Sequence, residues 1–373
     1  MKLLINAIPT KPGGGLTVLV GLLKGWRQIN CDLEIAIVAG DPETYELIHA
    51  TDAGCQLELV RAGEGAWANF LWQNNHFRRF VHRFDADVVV TNNHYLLGLP
   101  RPQVVHHHNL WRFITDDLEV EPSRGLTNRV RDWSSRKALR SATANVFVSD
   151  FLRHQAERFV PASSPRNYVV RNGLDDAVID EAKQMSTAFD GRPDLMAIQS
   201  ANPHKDNTTM IRTIAELVRR APDVPWHLNV AGSPGRTGWS DVQQLADKLK
   251  VADLITWCGF CGREQLDAML RRSLCLLCTS VLEAGPLPVI EAIAQHSVPV
   301  ASRIEANVEF VADGGVLVPP RSAEDFAAAI IRLHREPTYR EELIQRGLAR
   351  LDMFRWSNCA ATFYDVLKRA CGR

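Results

Sequence analysis

Short apolar runs alternate with amphipathic stretches along nearly all of the 373-residue chain. Runs of roughly four to eight residues rich in Val, Ile and Leu fit strands buried on both faces. Apolar positions recurring every three to four residues fit helices laid against them. In the first half this predicts strands at 2–8, 33–38, 57–61, 87–91, 104–107 and 145–148, with helices at 16–28, 42–50 and 67–84. The second half repeats the alternation, with strands at 196–200, 227–231, 255–258, 274–278, 298–301 and 316–318. Its helices fall at 207–220, 239–249, 263–270, 288–295 and 323–334, and the chain past Pro337 is helical, ending in a segment 356–369. Alternation of this kind builds parallel sheets. Two comparable α/β halves therefore predict two Rossmann-like domains, joined within 170–177.

Length agrees, because a single core usually stops growing well short of this size. An apolar fraction of 46% and a charged fraction of 23% exclude disorder, collagen and coiled coil. Lys and Arg together number 43 against 43 Asp and Glu, so a general nucleic-acid binder, which carries a basic excess, is disfavoured. No apolar run approaches the ~20 residues of a bilayer span. The N-terminal run is interrupted by Asn6 and meets Pro9 and Pro12, so it reads as a first strand rather than a leader. Eight cysteines do not make a disulfide scaffold, and a cytoplasmic protein is the expectation.

The most informative segment runs from Thr279 to Ala292. It leaves a buried strand, passes Gly285 and Pro286, and enters a helix opened by Pro288. Unpaired N–H groups at such a helix start suit a phosphate. Glu283 falls in the loop at the strand's C-terminal edge, where open α/β sheets take ligands. Glu291, about one turn into the helix, is placed to reach a ribose. The plainer reading is a helix start with two solvated glutamates.

The glutamates, with the Ser-x-x-Glu and Gly-x-x-Pro-x-x-Glu-Ala pattern around them, resemble the signature of the retaining family 4 glycosyltransferases. Further similarity lies in 299–302, 314–320 and 354–357, in the segment 170–175 with Asn172, Gly173 and Asp175, and in 148–151. It is nearly continuous from 196 to 356 and scattered before that. The resemblance implies the GT-B architecture: two facing Rossmann-like domains with a cleft between them and a helical C-terminal tail. Residues 1–172 would form the acceptor domain, with the helix 356–373 packing back on it, and 173–355 the donor domain. It also implies transfer of a hexose from a nucleoside-diphosphate sugar to a hydroxyl of a saccharide or lipid-linked acceptor, with retention and with no metal or other cofactor. One departure is plain. Many members read Glu-Gly-Phe-Gly, whereas here Glu283 is followed by Ala284, Gly285 and Pro286. Pro286 has no N–H, which leaves Leu287 as the expected backbone donor.

By the same resemblance, Ser200, His204 and Lys205 form the turn that faces the diphosphate, with Lys205 as the charge on the leaving group and His204 in place of a common Arg. A lysine at a helix start opposes the dipole, which argues for a functional reason. The backbone at Gly259 and Phe260 would border the base. The run Gly13, Gly14 and Gly15 lacks the third glycine of a dinucleotide fingerprint, so a dehydrogenase is disfavoured; in the family this loop closes over the sugar or acceptor. His106, His107 and His108 end a strand, with His106 and His108 on one face and His107 on the other. Similarity to a strand-end His-Asp-Leu favours His108 as the cleft histidine, with His107 second. Glu283 is then the expected group at the sugar hydroxyls and the developing cationic centre, and His108 the one that positions the sugar or the nucleophile.

Two features allow other uses. Cys258, Cys261, Cys275 and Cys278 copy the spacing of a zinc ribbon, but the second pair lies in an apolar strand where residues three apart face opposite sides. The segment 67–84, from Trp67 to Phe84, puts Phe70, Phe77, Phe80, Val81 and Phe84 on one helical face and Arg78, Arg79 and Arg83 on another. With Arg124, Arg129, Arg131, Arg136, Lys137 and Arg140 in 124–140, this face would seat the protein on an anionic membrane; packing into a core is the plainer reading. A catalytically silent nucleotide-sugar-binding subunit and a GT-B epimerase or phosphorylase are the alternatives to transfer.

Overall fold

The protein is described by a computed structural model covering residues 1–51, 54–63, 66–110, 113, 126–161, 166–186, 191–235 and 238–372, without the side chains of 66–67 and 126–131. The chain divides into two compact units, Met1–Gly173 with Phe354–Arg373, and Leu174–Met353.

In the first unit the strands are β1 (Lys2–Ala7), β2 (Glu34–Ala39), β3 (Gln56–Leu59), β4 (Val88–Asn92), β5 (Gln103–His107), β6 (Ala144–Phe147) and β7 (Asn167–Val169). Between them run α1 (Gly14–Gln28), α2 (Pro42–His49), α3 (Ala66–His76), α4 (Arg78–Phe84), α5 (Leu126–Ser141) and α6 (Asp150–Phe159). The sheet order is β3-β2-β1-β4-β5-β6-β7, and the strands pair in parallel. Leu3, Leu4 and Ile5 of β1 and every residue of β4 are buried, as expected of strands covered on both faces. Local chemistry sets the helix starts. Asp41 accepts from Thr44 N–H at 2.9 Å ahead of Pro42, and Ser149 accepts from Leu152 N–H at 3.0 Å ahead of α6.

In the second unit α7 (Asp176–Gln184) leads into β8 (Asp194–Ile198), α8 (Asn207–Arg220), β9 (His227–Ala231), α9 (Ser240–Lys248) and β10 (Ile255–Gly259). Then come α10 (Arg263–Arg272), β11 (Cys275–Cys278), α11 (Leu287–Ala294), β12 (Val298–Ser302), α12 (Glu305–Val311), β13 (Val316–Val318), α13 (Ala323–Arg335) and α14 (Pro337–Arg350). The order β10-β9-β8-β11-β12-β13, again parallel, reverses direction between β8 and β11. That reversal is a topological switch point.

The last helix, α15 (Trp356–Ala370), belongs to the first unit. It lies against α1, where Trp26 Nε1 donates to the carbonyl of Ala360 at 3.0 Å and the Trp26 ring meets Phe363 edge-on at 5.6 Å. The approach depends on glycine. A Cβ at Gly21 would fall 2.0 Å from the Trp356 ring, and one at Gly25 would fall 2.4 Å from the Trp356 carbonyl oxygen.

Two expectations change. The helix expected at 67–84 is two helices meeting at Phe77, and Phe77, Phe80 and Val81 are buried against the sheet with Trp72 and Phe84 packed beside them. Burying these rings removes them from water, so Phe77, Phe80 and Val81 of the face expected at a membrane are core, while Phe70 is half-buried. Arg79 and Arg83 lie over the Phe80 ring, at 4.9 and 5.0 Å from its centroid. Arg124 and the side chains of Arg129 and Arg131 lie outside the described residues. Among the described residues, no helix is long and apolar enough to cross a membrane.

Candidate active site

The loops leaving β8 and β11 meet at the switch point of the second unit. Thr279 Oγ1 donates to the carbonyl of Lys205 at 2.9 Å, and Val281 N–H donates to the carbonyl of His204 at 2.8 Å. These bonds bring Lys205 Nζ to 2.6 Å from Glu283 Oε1, with both side chains largely buried. Asp206 turns the chain into α8 with φ 47 and caps it, accepting from Thr209 N–H at 3.4 Å. Burial pushes the Glu283 carboxyl up, but the Lys205 ammonium and a bond from Ser280 more than offset this, and the group sits below its ordinary value. Burial likewise pulls the Lys205 ammonium down, and Glu283 leaves it above its ordinary value. The pair is therefore charged on both sides. His204 is held below the usual histidine value by burial and by Lys205 beside it.

Around this pair, Ser200 Oγ accepts from Asn202 at 2.7 Å, and its carbonyl accepts from Asn207 at 3.1 Å. Pro286 precedes α11, so Leu287 is that helix's first residue and Gly285 lies in the loop just before it. Gly259 ends β10 with φ 67 and accepts from Gly232 N–H at 2.7 Å, while Phe260 beside it is 87% exposed. Glu291 lies apart from the lysine pair in its contacts. It is buried and bound to Arg263, whose guanidinium also reaches Asp267 at 3.0 Å. Burial outweighs Arg263 here and holds the Glu291 carboxyl above its ordinary value.

In the first unit the sheet reverses between β1 and β4. Gly13, with φ 132, leads into α1, and a Cβ on Gly13, Gly14 or Gly15 would meet nothing within 4 Å. The glycine run thus opens onto free space at a helix N-terminus. The three histidines divide as strand geometry requires. His106 and His108 lie 4.5 Å apart edge-on, while His107 stacks on Phe147 at 4.8 Å and its Nε2 is 3.1 Å from Asn145 Oδ1. Burial holds the His108 imidazole down, at about 4. Gly14, Gly15 and His108 belong to the first unit and the other expected residues to the second.

The chain matches the family description "Glycosyl transferases group 1" over residues 178–350 and "Glycosyltransferase Family 4" over 12–178. The chain is a family 4-like GT-B glycosyltransferase. The transferase is 24% identical over 304 residues to alpha-D-kanosaminyltransferase of Streptomyces kanamyceticus, covering 76% of this chain and 77% of that protein. It is 26% identical over 279 residues to O-antigen chain mannosyltransferase B of Escherichia coli, covering 70% and 71%. In fold it is similar to Anabaena HepE, solved with UDP and glucose, with a TM-score of 0.77 at 15% identity over 99% of this chain and 100% of that one. Sucrose-phosphate synthase of Thermosynechococcus elongatus gives 0.76 at 16% identity over 99% and 98%.

Two groups of the transferase escape a reading of its motifs. Arg263 could have been found, because it opens α10 and a cation there opposes the helix dipole just as Lys205 does at α8. His94, whose Nδ1 is 2.7 Å from the Asn92 carbonyl and whose Nε2 is 2.9 Å from buried Gln73, carries no local signal. It joins residues from β1, α3 and the end of β4 through Asn6, which donates to Gln73 at 2.7 Å. Cys275 and Cys278 are enclosed in β11, and burial pushes both thiols up, Cys278 to about 11.

Proposed function

We propose that the transferase moves a hexose from a nucleoside-diphosphate sugar to a hydroxyl of a saccharide or lipid-linked acceptor, with retention at the anomeric carbon, in cell-surface polysaccharide or glycolipid synthesis. The observation that carries this reading is the Lys205–Glu283 pair at the switch point of the second sheet. It sets a fixed positive charge and a fixed carboxylate at one strand edge, beside the start of α11. In this reading Lys205, with His204, Gly285 and the Leu287 N–H, stabilises the departing diphosphate. Preorganised charge of this kind usually contributes more to catalysis than any other single effect. Glu283 contacts the sugar hydroxyls and the cationic centre that develops as the bond breaks. Glu291 takes the ribose, steered by Arg263, while Ser200, Gly259 and Phe260 border the nucleotide. In the first unit, His108 positions the nucleophile, and Gly14 and Gly15 let sugar or acceptor approach the backbone closely. The lysine and the helix start supply the positive charge that a metal gives elsewhere. HepE, solved with UDP and glucose, supports the donor class, and the O-antigen mannosyltransferase supports the cell-surface setting.

The competing reading is a subunit that binds donor without turnover, motivated by Pro286, which removes one N–H from the loop. Incubation with UDP-glucose, UDP-galactose and GDP-mannose, with saccharide and lipid-linked acceptors, separates the two. The expected result is a glycoside product whose anomeric configuration, read by NMR, matches the donor. Binding with neither transfer nor hydrolysis would establish the silent subunit, and an inverted product would remove retention.

A further inference from the structure

The geometry points to Asn93 as the residue that positions His108. This rests on the reading above, in which His108 acts in the reaction. β4 and β5 pair up to Asn92 and His106. Beyond that point the ladder is continued by a single residue. Asn93 donates its backbone N–H to the His106 carbonyl at 2.8 Å. Its side-chain Oδ1 accepts from the N–H of His108 at 2.8 Å and from the N–H of Asn109 at 3.1 Å. Both of these N–H groups lie just past the end of β5, and the Asn93 side chain supplies their acceptor. Asn93 holds φ 58, a left-handed conformation that asparagine adopts more readily than most side chains. One residue type thus satisfies the turn and the clamp together.

The clamp matters because, among the described residues, no hydrogen bond to Nδ1 orients the ring. His108 lies edge-on to His106 at 4.5 Å, and His106 is in turn edge-on to Phe363 at 5.1 Å. Nδ1 of His108 and Nε2 of His106 are buried without a hydrogen-bond partner among the described residues. A reacting group is commonly held by a third residue bonded to its side chain. For His108 that constraint comes instead through the backbone, at the two amides that Asn93 grips.

Two substitutions separate the clamp from the turn. Asn93→Gly keeps the left-handed conformation and removes the acceptor, whereas Asn93→Asp keeps both. Turnover of UDP-glucose and GDP-mannose is measured for each, for His108→Ala, and for Asn93→Gly combined with His108→Ala. Expected is a kcat about 10- to 100-fold lower in Asn93→Gly, as small misplacements of a reacting group produce. The donor KM should stay within about twofold, and Asn93→Asp should recover most of the rate. In the His108→Ala background Asn93→Gly should cost little more, because coupled residues are not additive. The full loss reappearing there would overturn the proposal, since Asn93 would then act on something else. An undiminished rate in His108→Ala would remove the underlying reading and this proposal with it. Amide exchange followed by NMR gives a check that needs no activity. The His108 and Asn109 amides should exchange at least roughly tenfold faster in Asn93→Gly, following the opening free energy; unchanged exchange refutes the clamp.

Discussion

Lys205 already has a carboxylate partner before any diphosphate arrives. The cation and the carboxylate are held by the loops that carry them, so no reorganisation is needed to create either charge, and under the proposed function a diphosphate would compete with Glu283 for the ammonium. Lys205→Ala should therefore slow the chemical step by about 10²–10³, as removal of one stabiliser of developing charge often does. Single-turnover kinetics check this, and an unaltered rate would move the phosphate site elsewhere. The pair also makes an acid prediction. Glu283 titrates below its ordinary carboxylate value, so its stabilisation is fully present above that value and disappears as pH falls through the lowered one. Glu283→Gln should cost about 3 kcal/mol at neutral pH by leaving the buried ammonium unpaired. In urea unfolding, the gap to the parent should narrow as pH falls through and below the ordinary carboxylate value. A gap that widens on acidification would show the opposite sign. At this scale the motif spacing singles out Lys205, Glu283 and Glu291 as candidates, and what the structure adds is that Lys205 pairs with Glu283 and Glu291 with Arg263. The contact of Asn93 carries no motif, because it joins the ends of two neighbouring strands.

Parallel strands announce themselves because both faces are covered, and the apolar runs of β1, β4, β9 and β11 fall within a residue or two of where the pattern places them. Several helices were less visible. α5, α6, α7 and α12 lie in polar stretches where charge masks the apolar stripe, although Ile179 and Ala182 of α7 are buried. β7, three half-buried residues, gives almost no pattern. The seam of α1 with α15 shows a third case, since Gly21 and Gly25 are four apart and share one helix face. A glycine inside a helix ordinarily costs ~1 kcal/mol, so two on one face mark a close approach. Gly25→Ala should destabilise the protein by about 1–3 kcal/mol despite the better helix propensity of alanine, because the methyl meets the Trp356 backbone. Thermal unfolding measures it, and an unchanged or raised midpoint would show that the two helices can part without loss.

Across the whole molecule, both sheets reverse direction once, and some of the expected residues lie near those reversals: Gly14 and Gly15 after β1, Lys205 after β8, Glu283 after β11, whereas His108 follows β5 and Gly259 and Phe260 follow β10. The strand alternation predicts two parallel sheets, but the order of strands within each is a tertiary fact that no local pattern carries. The first unit is discontinuous in sequence, with α15 as its last piece. Trp356, Phe363 and Leu367 are buried there, each worth about 1.5–3 kcal/mol. A chain ending at Met353 should lose cooperative structure in the first unit, while Leu174–Met353 keeps its protection. Hydrogen exchange resolved along the chain tests this, and uniform protection in both units would show α15 to be dispensable.

The return of α15 also imposes an order on how the protein is made. A domain usually folds as its own sequence leaves the ribosome, N-terminal domains first. Here the opening domain cannot be completed on that schedule, because α1 must wait for a helix encoded after residues 174–353. At roughly 5–20 residues per second, that interval is on the order of 10–40 s. Throughout it, the face of Trp26 destined for Phe363 stays uncovered, and the domain synthesised second is the first to be finished.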